Sequence, residues 1–123
     1  GQLAIRDTLI QAGINLDGFQ FGDLIGDQLK VPFMFVSSNQ SGDSFLRASV
    51  FIEESQKDCY QVVIKGFSHG SFTDLEYFNP GGQEAIELQR DLIRTFFDKY
   101  LKKNDLNLTM LEDKYPLIRI TKN

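Results

Sequence analysis

The chain has 123 residues, enough for one domain and too few for two. Hydrophobic residues make up 41% and charged residues 24%, an ordinary balance for a globular domain, and the net charge of −4 disfavours nucleic acid and anionic membrane as partners. One cysteine, Cys59, excludes an internal disulfide and a cysteine-built metal site; one histidine, His69, excludes a histidine-rich one.

No apolar run approaches the ~20 residues of a membrane span. Leu3, Ala4, Ile5, Leu9 and Ile10 fit one helical face, ended by Gly13. Ile14-Asn15-Leu16 predicts a short strand that stops at the turn signal Asp17-Gly18. Phe19 to Lys30 is punctuated by Gly and Asp and reads as loop. Val31 to Val36 is a continuous apolar run of the length of a strand buried on both faces, the mark of a parallel sheet. Ser37 to Ser44 reads as loop, and Asp43 or Ser44 can cap a helix to about Glu54, with Phe45, Leu46, Ala48, Val50 and Phe51 inward.

Tyr60 to Ile64 is the third strand, followed by a long loop from Gly66 to Gly82. Gln83 to Lys103 is plainly helical, with Ile86, Leu88, Leu92, Ile93, Phe96, Phe97, Tyr100 and Leu101 on one face. Lys99, Lys102 and Lys103 oppose the helix dipole near its end. Residues 105–123 form a tail in which Tyr115 to Thr121 alternates as an edge strand would, and Pro116 suits an edge better than a centre. The expectation is a single α/β domain, a partial doubly wound and mainly parallel sheet flanked by helices.

Reactive groups in such sheets sit at the carboxyl ends of strands. His69 follows the third strand in a loop of small residues, and a neutral imidazole can take and return a proton near pH 7. Asp17 ends the first strand at the matching edge, where a carboxylate could hold the imidazole's tautomer. Asp74 is the alternative acid, and Phe19, Phe21 and Phe72 neighbour the site as candidate pocket walls. Asp23 and Asp27 have no recognisable metal-ligand spacing, so neither metal nor cofactor is expected. Cys59 reads as a small buried hydrophobe.

Ile14-Asn15-Leu16-Asp17-Gly18-Phe19-Gln20-Phe21 resembles the acid-bearing strand end of the platelet-activating-factor acetylhydrolase-like α/β-hydrolases. Val31 to Ser37 resembles their next buried strand, and Gly66, His69, Phe72 and Asp74 match a Gly-x-x-His-x-x-Phe-x-Asp stretch that carries the base. The resemblance covers about residues 3 to 103, with Asp17 and His69 separated by 52 positions. It implies the C-terminal part of a serine esterase, an ester or phospholipid-type small-molecule substrate, and a triad in the order Ser, Asp, His. The expected Gly-x-Ser-x-Gly elbow is absent from the 16 residues before Asp17, so the nucleophile is expected on a segment upstream and the chain alone is expected to be inactive.

One match to that elbow does occur, Gly66-Phe67-Ser68-His69-Gly70. Ser68 is a poor nucleophile by position. No histidine lies downstream to serve it, and Ser71 to Gly82 does not read as the helix that follows such a turn. A non-catalytic lipid- or protein-binding relative of the same fold is the rival reading. The first strand would lack a neighbour on one side, which predicts self-association of the isolated chain.

Overall fold

The computed structural model describes residues 2–20, 28–38 and 42–123, with backbone only for Gln2, Asp43 and Ser44. In chain order the elements are α1 (Gln2–Arg6), β1 (Gly13–Leu16), β2 (Phe33–Ser38), α2 (Gly42–Glu53), β3 (Cys59–Ile64), α3 (Gly82–Tyr100), α4 (Leu111–Lys114) and β4 (Ile118–Lys122), with short 3₁₀ turns at His69–Phe72, Asp74–Phe78 and Leu108–Met110. They build a four-stranded open sheet in the order β1-β2-β3-β4. β1, β2 and β3 run parallel, and β4 returns antiparallel at the edge.

The sheet is hydrophobic on both faces because β2 and β3 are covered on both. Met34, Val36, Tyr60, Val62 and Ile64 pack with Leu88, Leu92 and Phe96 of α3. Phe33, Phe35 and Cys59 face the other way, onto Ala4 of α1 and Ala48, Phe51 and Ile52 of α2. The continuous run in β2 is the sequence form of this double burial; all six of its residues are buried.

Several boundaries depart from the sequence reading. α1 stops at Arg6, since the Asp7 carboxylate accepts the Leu9 N–H at 2.9 Å, a local turn that competes with the helix. Leu9 is consequently 85% exposed rather than inward. β2 begins at Phe33 because Pro32 has no N–H for the ladder; Pro32 instead accepts from Gly13 N–H at 3.0 Å. It continues through Ser37 and Ser38, which the sequence reading gives to the loop.

In α2 the inward residues are Ala48, Phe51 and Ile52, while Phe45, Leu46 and Val50 are exposed. The stretch is apolar nearly all round, so its periodicity does not fix which side faces the sheet. The capping role of Asp43 and Ser44 lies outside the described side chains. α3 ends at Tyr100, ahead of Lys103, whose φ of 57° is left-handed and cannot continue a helix. Leu101 is exposed. β4 starts beyond Pro116, so the proline stays out of the ladder. No described helix is long and apolar enough to cross a membrane.

Candidate active site

β1 and β3 run in the same direction, so their carboxyl ends open on one edge of the sheet. Asp17 is the first residue past β1. Its N–H still donates to Val36 O at 2.7 Å, but its φ of 51° turns the chain sharply, a conformation aspartate tolerates better than most residues. The Asn15 side chain fixes the turn by accepting the Gly18 N–H at 2.9 Å, and the Gln20 amide donates to Gly18 O at 2.8 Å. Asp17 is left 8% exposed at the sheet edge.

A buried carboxylate must be hydrogen-bonded to stay ionised. Ser38, at the end of β2, donates its backbone N–H to Asp17 Oδ1 at 2.9 Å and its hydroxyl to Oδ2 at 3.3 Å. His69 joins them. Its Nδ1 lies 3.0 Å from the same Oδ2. With the carboxylate accepting, Nδ1 carries a proton, which in the neutral ring leaves the lone pair on Nε2. The imidazole side chain is 78% exposed against 4% for the Asp17 side chain, so the pair joins a buried anchor to an accessible proton acceptor.

His69 arrives there because Gly66, two residues past the end of β3, takes a φ of 85° and bends the chain back over the sheet edge. Phe67 then plugs into the core beside Phe72, with ring centroids 5.6 Å apart. The Ser68 N–H donates to Ser71 Oγ at 3.1 Å, closing the turn His69–Phe72, and Gln89 of α3 donates to Ser71 O at 2.7 Å. The histidine is thus carried on a short, braced turn rather than on a free loop.

Among the described residues the acid on His69 is Asp17; Asp74 is exposed in the first turn of Asp74–Phe78. Phe19 stands under the Arg47 guanidinium, 4.9 Å from its ring centroid, while Phe72 packs toward α3. They have different neighbours, and Phe21 lies outside the described residues, as do Asp23 and Asp27. Ser68 is exposed with an extended backbone (φ −117°, ψ 173°) and leads into a 3₁₀ turn, not the α-helix that follows a nucleophile elbow. No hydroxyl or thiol among the described residues is hydrogen-bonded to His69 Nε2. No described cluster of His, Cys, Asp and Glu could hold a metal ion.

The residue that sequence reasoning missed is Ser38. Its signal was a serine pair closing a wholly apolar strand next to the acid-bearing one, but a serine there also reads as the first loop residue. No protein-family model matches the chain, and no curated protein matches it either.

Proposed function

We propose that Asp17 and His69 are the acid and base of a serine esterase resembling the platelet-activating-factor acetylhydrolases. In this reading the nucleophilic serine comes from outside these residues and adjoins the open edge of β1. The same edge is where the isolated chain would pair with a second copy. The observation that carries the proposal is the Nδ1 contact of His69 with a buried carboxylate that also accepts from Ser38.

His69 Nε2 removes the serine proton as its oxygen attacks the ester carbonyl. It returns that proton to the leaving alcohol when the tetrahedral intermediate collapses. The acyl-serine is then cleaved by water activated on the same nitrogen. Asp17 keeps the ring in the productive tautomer and stabilises the imidazolium formed in each half-reaction. The substrate class is a small or oxidised acyl ester, phospholipid-type esters included.

The test is turnover of a short-chain p-nitrophenyl ester by the protein as encoded, beside its His69→Gln variant. Loss of about 10²–10⁴-fold is expected from removing the general base. Equal rates, or no turnover by the unaltered protein on acetyl and phospholipid esters alike, would favour a lipid- or protein-binding role for the same fold.

A further inference from the structure

We infer that the groove between α3 and the turn Asp74–Phe78 is a binding site for a single-chain amphipathic carboxylate, with the chain between its two walls and the head on Arg90 and Arg94. The inference stands apart from the esterase reading and does not depend on it.

The groove has a volume of about 430 Å³, within the range of small-molecule sites. Phe72 and Tyr77 line it from the turns that follow β3, and Ile86 and Ile93 line it from α3. No residue of Asp74–Phe78 is buried, and Tyr77 is 64% exposed. An apolar chain laid between these walls removes from water a surface that folding leaves wet.

Charge selects the head. Arg90 and Arg94 line the same groove, one helical turn apart on α3. The acids beside them on that helix are engaged elsewhere. Asp91 accepts from Lys114 Nζ at 2.6 Å and from the Tyr115 hydroxyl at 2.7 Å. Glu87 accepts from the Gln83 amide at 3.1 Å. Asp98 is met by Lys102 at 2.7 Å and by Arg94 only at 3.6 Å. Arg90 makes no ion pair among the described residues. A chain of net charge −4 thus presents two guanidinium groups beside an apolar cleft, the donor geometry that suits a carboxylate. Asp74 lines the groove from the turn, so a monoanion fits better than a doubly charged phosphate.

The test is titration of the protein as encoded with decanoate below its micelle concentration, read on the ¹³C signals of the isoleucine δ1 methyls. Ile86→Val and Ile93→Val assign the two reporters. Saturable shifts at Ile86 and Ile93 are expected. Decanol, which lacks the charge, is expected to bind at least about tenfold more weakly, and Arg90→Gln, Arg94→Gln to weaken decanoate by a similar factor, as for lost hydrogen bonds to a charged group. Both arginines are exposed, so these changes leave the fold intact. Arg90→Glu, Arg94→Glu is expected to reverse the preference, from decanoate to decyltrimethylammonium. Unmoved Ile86 and Ile93 signals, or equal affinity for decanoate in wild type and the glutamine double variant, would overturn the inference. So would shifts at Ile118 alone, which would put the chain in the separate hollow lined by Leu88, Tyr115 and Leu117. Shifts that centre on the His69 imidazole and persist in the double variant would place the carboxylate at the sheet edge instead, and would equally overturn it.

Discussion

The Asp17 Oδ2 and His69 Nδ1 atoms lie 3.0 Å apart although 52 positions separate the residues in the chain. The contact is made by topology. Parallel strands bring both carboxyl ends to one edge, β2 stands between them, and the bend at Gly66 carries the histidine across. Asp17 contributes by fixing which imidazole nitrogen bears the proton. Asp17→Asn should therefore be much more damaging than its change in size suggests. An amide that presents its N–H to Nδ1 selects the wrong tautomer. On the proposed esterase reading, ester turnover is expected to drop by at least about 100-fold. Steady-state kinetics with a check of thermal unfolding would separate this from loss of fold.

Acid should weaken the fold through carboxylates remote from the site. Hydrogen bonds from Lys114 and Tyr115 hold the Asp91 carboxyl below its ordinary range. Burial pushes Asp58 up, but Lys122 and Tyr100 outweigh it and the net shift is downward. A carboxyl lowered on folding contributes stability above its unfolded value, here the ordinary 3.8, and loses it as pH falls through the lower folded value. Unfolding temperature should therefore decline below about pH 4, by the ordinary aspartate range. The decline should be shallower in an Asp58→Asn, Asp91→Asn double variant. Parallel curves for the two proteins would contradict this assignment.

The Cys59 thiol should be inert in the native state. Burial pushes it up to about 12, against weaker opposing hydrogen bonds from Ser55 and Tyr60. At pH 8 a disulfide reagent such as Ellman's should react with it only after denaturant is added. Prompt reaction without denaturant would show that β3 opens at its start.

Two glycines should respond oppositely to alanine. A Cβ on Gly82 would collide with the backbone carbonyl of Glu76, which the 3₁₀ turn Asp74–Phe78 holds in place. Gly82→Ala should cost about 1–3 kcal/mol in urea unfolding. Gly42, in the first turn of α2, has open space around its Cβ position, and alanine there should be neutral or slightly stabilising.

Much of this arrangement was legible from residue order. The apolar run from Val31 to Val36 announced a strand covered on both faces, observed from Phe33, and Asp17 and His69 each followed a strand of the kind that runs parallel to it. Strand direction then placed both at one edge. Less legible were features set by contacts distant in sequence. α2 could not be phased from a stretch apolar on every side; the fit of Ala48, Phe51 and Ile52 against the sheet decides it. The turn at His69–Phe72 depends on Gln89 in a helix some way downstream. Ser38 became visible as a site residue only when register brought it to Asp17.

The most direct test is labelling of the protein as encoded with a fluorophosphonate probe, followed by peptide mapping of the adduct. A single modified serine outside residues 1–123 is expected, formed rapidly in the unaltered protein and at least about 100-fold more slowly in His69→Gln, by the usual contribution of a general base. Label on Ser68, or on any serine at a rate indifferent to His69, would contradict the assignment of Asp17 and His69 as the acid and base of that reaction.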